Sequence, residues 1–408
     1  MDVQRFKLEM QEELGKILRY WIDYSQDSNG GFVGRIDNEN RIYADAPKGS
    51  VLNARILWTF SAAYIATGNK EFLKIAEKAY NYITEYFIDK EFDGVFWSVD
   101  YKGEPLDTKK QVYAIAFVVY ALSEYYKCTK NEAVKTGAIR LYHLIEKHSC
   151  DKLTGGYFEA FSRNWNALED LRLSAKDANE KKTMNTHLHI LEAYTNLYRI
   201  WPSPELAHQL RELINIFLHH IINADTGHLI LFFDENWKVK SETVSYGHDI
   251  EASWLLLEAS ESLMDEELIS RCKAVSVKMA DAVVEGLDTD GGLWYEYEPS
   301  KHHLVKQKHW WPQAEALVGF VNAWQVTRDE KYLQLAFQNW HFIKGHILNQ
   351  QDGEWYWGIN EDNSVMNNED KVGIWKCPYH NSRACLEIIK RLEAKKTDQR
   401  TINQKINN

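Results

Sequence analysis

The feature that most constrains this chain is a unit that occurs six times along it. A glycine turn followed by aromatic residues recurs as NGGFVG, FDGVFWSV, TGGYFEAF, TGHLILFF, DGGLWYEY and DGEWYWGI. The marker glycines are 63, 62, 71, 65 and 61 residues apart: Gly31, Gly94, Gly156, Gly227, Gly292 and Gly353. Self-similarity at a regular period indicates a repeat architecture. Each glycine and its alternating aromatics predict a short β-hairpin.

Two helical patterns follow each hairpin, and they differ in character. The first is apolar nearly all round, as in QVYAIAFVVYALSEYY, which is typical of a fully buried helix. The second is amphipathic. Residues 67–83 and 327–343 align without a gap at an offset of 260, and in the first of these one helical stripe carries the apolar residues. The pattern predicts a buried inner helix and a half-buried outer helix in each unit.

The sixth unit has no amphipathic helix after it, since 396–408 is polar. A helix at about 5–25 can supply that partner and close a ring. We therefore predict an all-α protein, an (α/α)6 barrel with six inner and six outer helices and short β-hairpin loops. Residues 1–395 would form one catalytic domain, with 396–408 as a polar C-terminal tail. The rival is an open helical solenoid, which would not need its N-terminus to complete the last repeat.

Charge and composition exclude several classes of function. A net charge of −11 leaves nothing to neutralise phosphates, so we expect no nucleic-acid partner. No apolar run approaches membrane-spanning length, and the charged N-terminus lacks the apolar core of a signal peptide. The five cysteines form no CxxC pair and are typical of reduced cytosolic thiols. We expect a cytoplasmic protein without a membrane partner, with a monomer as the default state.

If the six inner helices are equivalent, their N-terminal ends meet at one mouth. The 15 Trp, 22 Tyr and 16 Phe suit a groove lined with flat rings for sugar recognition. Any one of the polar residues there could be an ordinary core or capping residue. Together they would be costly to bury unless they serve a shared cavity. The residues at that mouth are Arg55, Tyr113, Asn185, His189, His248, Glu251, Trp311, Glu315 and His380.

Three kinds of chemistry are open to such a set. A metal site could use His187, His189, His248 and Glu251, but no HExxH pattern accompanies them, so we expect no metal and no cofactor. Paired carboxylates would allow glycoside hydrolysis. Several imidazoles in one cavity favour proton transfer near neutral pH.

Four segments also resemble a known family. NTHLHILEAY, GHDIEASWLL, WWPQAEALVGF and YHNSRACLE are similar to the N-acylglucosamine 2-epimerase superfamily, and YGHDIEASWLL and HWWPQAEA most resemble its cellobiose 2-epimerase branch. The resemblance runs from about residue 5 to 395 and implies an (α/α)6 barrel, in agreement with the repeat. It also implies an isomerase without a cofactor that interconverts C2 epimers of the reducing-end sugar of a β-1,4-linked disaccharide such as cellobiose, lactose or mannobiose.

The resemblance assigns roles to individual residues. His248 and His380 would be the general acid/base pair at C2, and His189 would assist ring opening or hold the open chain. Arg55 would lie against the oxygens at C1 and C2. Trp254 belongs to the motif but is expected to be structural. Residues that bind hydroxyls or orient histidines would be Tyr113, Asn185, Glu251 and Glu315, and those that stack on sugar rings would be Trp311 and Trp375.

Alternatives remain open at this point. The chain could be an N-acylglucosamine 2-epimerase or a mannose-type aldose–ketose isomerase, which shares the enediolate but protonates C1. A glycoside hydrolase and a non-catalytic sugar-binding barrel are the alternatives from other classes.

Overall fold

The computed structural model describes residues 1–406, with side chains described as far as Glu393. Residues 407–408 of the polar tail lie outside the described residues. Six inner helices are buried nearly all round, the last of them over the described part that precedes Lys390. They are α2 (Ser50–Thr67), α4 (Val112–Thr129), α6 (Met184–Tyr198), α8 (Tyr246–Leu263), α10 (Trp310–Thr327) and α12 (Tyr379–Ile406).

Six outer helices alternate with them along the chain and bury one face each. In α3, for example, the buried residues are Ile75, Ala76, Ala79 and Tyr82, which recur at the spacing of a single helical stripe. The outer helices are α1 (Val3–Tyr24), α3 (Lys70–Tyr82), α5 (Glu132–His148), α7 (Pro204–Ile216), α9 (Glu266–Val283) and α11 (Glu330–Phe342). Three of them end in π-helical turns, at Ile83–Phe87, Phe217–Ile221 and Ile343–Ile347, and two short 3-10 helices lie at Val284–Gly286 and Pro299–Lys301.

The inner helices form a closed ring. Each contacts the next in chain order, and α12 contacts α2, while α1 packs on α12. The predicted (α/α)6 barrel is confirmed, with the N-terminal helix in the place expected for it. The open solenoid is wrong, because its first and last inner helices would not touch.

The strands are short and all pair antiparallel. They are β1 (Lys48–Gly49), β2 (Ser98–Val99), β3 (Pro105–Asp107), β4 (Lys110–Gln111), β5 (Ala160–Phe161), β6 (Lys182–Thr183), β7 (Phe232–Phe233), β8 (Val244–Ser245), β9 (Glu296–Glu298), β10 (His303–Val305), β11 (Lys308–His309) and β12 (Gly358–Ile359). The pairings are β1–β2–β3, β4–β5, β6–β7, β8–β9–β10 and β11–β12. The strand that leads into an inner helix thus pairs with the hairpin of the following unit.

A buried lysine, two residues before the inner helix in four units and three before it in the sixth, ties that helix to the glycine hairpin of its own unit. Lys182 shows the pattern: its ammonium bonds to Asp151 at 2.8 Å and to the carbonyl of Gly155 at 2.7 Å, both in the glycine turn. A buried charge is tolerated when it is paired and hydrogen-bonded in this way. The fourth unit has Val244 instead. We call this place the strand-lysine position; it holds Lys48, Lys110, Lys182, Val244, Lys308 and Lys376.

The ring is closed by buried polar contacts between α1 and the last hairpin. The Glu354 carboxylate accepts from the indole of Trp21 at 2.5 Å and from Lys376 at 2.7 Å. Glu13 of α1 accepts from the indole of Trp355 at 2.9 Å. The segment that leads into α12 is therefore held by the N-terminal helix. No helix in the described part of the chain is long and apolar enough to cross a bilayer.

Candidate active site

The inner helices place their polar side chains in two layers at one end of the ring. Seven residues beyond the strand-lysine position lie Arg55, Phe117, His189, Glu251, Glu315 and Arg383; about one turn nearer the mouth lie Tyr113, Asn185, His248, Trp311 and His380. Because 3.6 residues make a turn, equal offsets in equivalent helices bring each set to a common depth. Asn185, His248, Trp311 and Trp375 are half-buried, and the other expected site residues are buried.

Arg383 lies at the centre of the deeper layer. Its Nη2 donates to Glu251 at 2.5 Å and to Glu315 at 2.7 Å, and its Nη1 donates to Glu192. Three buried carboxylates on three helices thus share one guanidinium. Burial raises the pKa of Glu315, and the Arg383 charge opposes this. Burial would also raise the pKa of Glu192, but Arg383 and His189 lower it below its usual value.

His380 is oriented by this cluster. Its Nδ1 lies 2.7 Å from Glu315 Oε1, which also accepts from Arg383. An ionised carboxylate only accepts hydrogen bonds, so Nδ1 carries the hydrogen and Nε2 presents its lone pair. Nε2 has no hydrogen-bond partner among the described residues. Burial lowers the pKa of His380 well below its usual range, and the charges of Arg55 and Arg383 add to this effect.

His248, like His380, lies close to the ring of Trp311. The ring centroids of Trp311 and His248 are 4.7 Å apart, and those of Trp311 and His380 are 5.7 Å apart. His248 Nδ1 lies 2.8 Å from the Ser245 hydroxyl. Burial, with a smaller contribution from His189, lowers the pKa of His248 to about 3. Both imidazoles are therefore neutral near pH 7, which is the form that accepts a proton.

Arg55 and its neighbours form the third part of the site. The guanidinium donates to the Tyr113 hydroxyl at 2.9 Å and lies 4.2 Å from the Phe117 ring centroid. It forms no ion pair with any carboxylate of the described residues, and its Nε has no partner. A buried cation without a counter-charge is costly. This arrangement suits a group that becomes negative during a reaction.

His189 and Trp375 join these parts. His189 Nδ1 lies 3.0 Å from Glu192, and its ring meets Tyr113 edge-on at 4.9 Å. Trp375 is 6.0 Å from Tyr113, on the half-buried side. The side chain of Asn185 makes no hydrogen bond to these residues in the described part of the chain. Its side-chain amide oxygen, Oδ1, is buried without a partner. An acceptor in that state is ready for a hydroxyl donor.

Two further residues of the recognised motifs make contacts that the sequence does not reveal. Both ring nitrogens of His187, which is a candidate metal ligand in the sequence, are engaged by the backbone: Nδ1 bonds to the Thr183 carbonyl at 2.6 Å, and Nε2 accepts from the Tyr157 amide at 2.9 Å. Trp254 is buried as expected but is more than packing. Its indole donates to Glu315 at 3.1 Å, and Arg383 lies 4.9 Å over its ring.

Glu251, Glu315 and His380 place one ligand atom each within 4.8 Å of one another, a spacing that a metal ion could use. Both carboxylates already bind the Arg383 guanidinium, and His380 Nδ1 is bonded to Glu315. The guanidinium supplies the positive charge at this place, so these residues do not fit a metal centre as they stand.

Arg383 and Glu192 are site residues that the sequence reading missed. Both lie within motifs that were recognised, YHNSRACLE and NTHLHILEAY. Arg383 is three residues after His380, at the same helical offset as Arg55, His189, Glu251 and Glu315. Comparison of that offset across all six units would have found it.

Comparisons with known proteins agree with this geometry. Residues 30–384 match the family described as N-acylglucosamine 2-epimerase (GlcNAc 2-epimerase). The chain belongs to this family, and it is a carbohydrate epimerase, that is, an isomerase.

Relatives refine the placement within the family. The chain is 50% identical to a cellobiose 2-epimerase of Bacteroides fragilis, over 94% of this chain and 98% of that protein. The solved structure of cellobiose 2-epimerase from Bacillus thermoamylovorans B4167 superposes with a TM-score of 0.91 at 39% identity, over 95% of this chain and all of that one. A D-mannose isomerase of Marinomonas mediterranea is 23% identical over 94% of this chain and 97% of its own length.

Proposed function

We propose that this chain interconverts the C2 epimers of the reducing-end sugar of a β-1,4-linked disaccharide, converting cellobiose to glucosyl-mannose and lactose to epilactose. The observation that carries the proposal is the pair of imidazoles, His248 and His380, whose ring centroids lie 4.7 and 5.7 Å from that of Trp311. Each has Nδ1 engaged and Nε2 without a partner among the described residues. Two proton carriers beside a sugar-stacking ring suit inversion at one carbon.

The reaction begins with opening of the pyranose ring, which exposes a C1 aldehyde and makes H2 acidic. His189, held by Glu192, assists this step or holds the open chain. One of the two imidazoles then takes H2 at Nε2, and the C–H electron pair moves into the C1–C2 bond to form an enediolate. Arg55, which has no carboxylate partner, stabilises the oxyanion at C1.

The second imidazole, which takes up a proton from solvent before C2 is deprotonated, returns that proton to the opposite face of C2, and the first imidazole later releases H2 to solvent. The aldehyde re-forms and the ring closes. The net result is one proton removed and one returned, with no oxidation and no cofactor, because the carbonyl itself holds the electron pair. Tyr113, Asn185, Glu251 and Glu315 bind hydroxyls or orient the histidines, and Trp311 and Trp375 stack on the two rings.

The contacts of Arg383 also bear on the hydrolase alternative. Glycoside hydrolysis needs one carboxylic acid that stays protonated beside an ionised partner. Glu251 and Glu315 both accept from the same guanidinium, so neither is free to carry a proton to a leaving group. This favours isomerisation over hydrolysis.

Incubation with cellobiose in deuterated water, followed by NMR, tests the proposal. We expect glucosyl-mannose labelled with deuterium at C2. Free glucose without epimer would support a hydrolase, and binding without deuterium exchange would support a sugar-binding barrel. Faster turnover of N-acetylmannosamine or mannose than of cellobiose or lactose would instead favour an N-acylglucosamine 2-epimerase or a mannose-type isomerase.

We also propose that residues 1–395 act as one catalytic domain, and that the protein works as a cytoplasmic monomer. The closed ring supports the proposal of one catalytic domain, since all six inner helices contribute to the site and α1 completes the ring. Gel filtration with light scattering, and fractionation of the source cells, test the other two.

A further inference from the structure

Ser245 stands where a serine usually caps a helix, yet it does not cap this one. It is the residue before α8, and its side chain makes no hydrogen bond to the first turn. A serine at this position normally accepts from a backbone N–H of that turn and so stabilises the helix. Here the hydroxyl lies 2.8 Å from His248 Nδ1 instead. The side chain therefore contacts a residue of the site instead of capping the helix.

The third unit offers an internal comparison. Thr183 occupies the same position before α6, one residue after the strand-lysine position. Its hydroxyl accepts from the Thr186 amide at 3.1 Å, which is an ordinary N-cap. The residue three positions on is Thr186 in α6 and His248 in α8. An extended residue before the helix thus directs its hydroxyl to the helix in one unit, where ψ is 146°, and to the imidazole in the other, where ψ is 96°.

The tautomer of His248 depends on this contact. A ring that takes a proton at Nε2 must already carry its hydrogen on Nδ1. Ser245 Oγ is the hydrogen-bond partner that the described chain provides for that Nδ1. We propose that Ser245 is the positioning residue of His248: its hydroxyl accepts the Nδ1 hydrogen and directs Nε2 toward C2 of the substrate.

The two imidazoles are therefore held by unlike partners. Glu315 is negatively charged and can only accept from His380, and it is itself fixed by Arg383 and Trp254. Ser245 is neutral and makes no other side-chain hydrogen bond. The titratable group whose charge acts on His248 is His189 on α6, and the one side chain hydrogen-bonded to the His248 ring among the described residues is the neutral Ser245.

This role rests on the proposed C2 epimerisation, and substitution of Ser245 tests it. Ser245→Ala should lower kcat about 10- to 100-fold, the range seen when the partner that orients a metal-bound imidazole is removed. The KM for cellobiose should change little. Ser245→Thr keeps the hydroxyl on a backbone that accepts threonine in the third unit, and it should restore most of the rate.

The pH profile separates positioning from packing. An acceptor on Nδ1 favours the imidazolium, so its loss lowers the pKa of His248. The limb of the kcat profile that reports loss of protonated His248 should move to lower pH in Ser245→Ala and stay in place in Ser245→Thr. Thr183→Ala is the matched control. It should lower Tm through loss of the cap and leave both limbs where they are.

Crystal structures of the Ser245 variants supply a readout that does not depend on activity. We expect His248 to keep Nδ1 on the hydroxyl in Ser245→Thr, and to rotate or take two orientations in Ser245→Ala. An unmoved ring with wild-type kcat and pH limbs in Ser245→Ala would overturn the positioning role. So would a loss of Tm like that of Thr183→Ala with an unchanged profile. If the wild-type protein forms no epimer, the proposed function fails, and the ring orientations still decide the role of Ser245.

Discussion

The start of each inner helix has two faces, and they meet different structural requirements. In three of the six units, the side chain five residues beyond the strand-lysine position holds the hairpin. His187 accepts from the Tyr157 amide, Asp249 from that of Leu229, and Gln313 from that of Leu293. Seven residues beyond that position, the side chain faces the cavity, and no such common contact is found. We call these the scaffold face and the cavity face.

The difference shows how a sixfold fold carries a reaction with no symmetry. On the scaffold face, different residue types meet one requirement, because every hairpin amide needs an acceptor. On the cavity face, equal depth brings a guanidinium, an imidazole and carboxylates together, because each helix contributes something different. The repeat provides the positions, and departures from the repeat provide the chemistry.

The largest difference between the effects of cavity and scaffold substitutions is expected when His380 and His187 are each replaced by asparagine. His380→Asn retains an amide that can donate to Glu315, so the fold should hold, but no group takes the C2 proton. Turnover should fall by about 10⁴-fold, with Tm within a few degrees of wild type. Epimer formation by NMR and thermal unfolding measure the two quantities.

His187→Asn is the matched control on the scaffold face. It should lower the free energy of unfolding by about 2 kcal/mol through its two buried hydrogen bonds, while kcat changes less than about threefold. If His187→Asn lost turnover as severely as His380→Asn, the division into two faces would be wrong.

Substitution of Arg383 should lower both stability and activity, because its guanidinium binds three carboxylates of the site. Arg383→Met leaves three buried carboxylates without their cation, which should cost about 3–5 kcal/mol. Without the cation, the pKa values of those carboxylates would rise, and they would take up protons. Urea denaturation should therefore show that the loss of free energy of unfolding, relative to wild type, grows as pH rises from 5 to 8. Epimerisation should also be lost, since Glu315 no longer holds His380.

Arg391→Met, two turns further along α12, provides the comparison. Arg391 bonds to Asn322, Gln325 and Glu387 in a more exposed place, so its loss should cost less than about 1 kcal/mol. Equal losses for the two variants would mean that the shared carboxylates are not what Arg383 stabilises.

Lys182 tests the scaffold without touching the cavity. Lys182→Met removes the ammonium from Asp151 and from two backbone carbonyls, at an expected cost of about 3 kcal/mol by urea denaturation. Because the lysine faces the hairpin, kcat should stay within about twofold. Lys240→Met, which removes a half-exposed pair with Asp234, should change stability by less than about 0.5 kcal/mol. A large fall in kcat in Lys182→Met would show that the hairpins act on the site.

Much of this organisation can be predicted from the sequence. Fully apolar helices alternating with amphipathic ones determine the two rings, and the polar residues at the starts of the apolar helices mark the mouth. The marker glycines do not all occupy the same position in their hairpins. The hairpin bridges align Phe32, Val95, Tyr157, Leu229, Leu293 and Trp355, which puts the marker glycine one residue early in the fourth and sixth units.

The remaining features depend on helix phase and on pairs distant in the chain. His187 and His189 are two residues apart, and only the position of the helix start decides which one faces the cavity. Arg383 lies one turn inside a helix that reads as apolar, and its partners come from three other helices. The pairing of Lys182 with Asp151 spans 31 residues, so no local pattern reveals it.

The smallest expected effect concerns a strained residue in the hairpin of the fourth unit. Trp237 has a left-handed φ of 64°, yet its indole donates to the Thr154 carbonyl at 2.9 Å and covers Gly156, where a Cβ would lie 2.5 Å from the ring. Trp237→Ala should cost about 2 kcal/mol through lost contact. Trp237→Gly should recover about 0.5–1 kcal/mol of that, because glycine adopts positive φ without strain. Trp165 covers Gly94 in the same way at a φ of 67°, so Trp165→Ala should match Trp237→Ala. Urea denaturation of the three variants decides the point, and a glycine variant less stable than the alanine variant would show that the tryptophan backbone is not under strain.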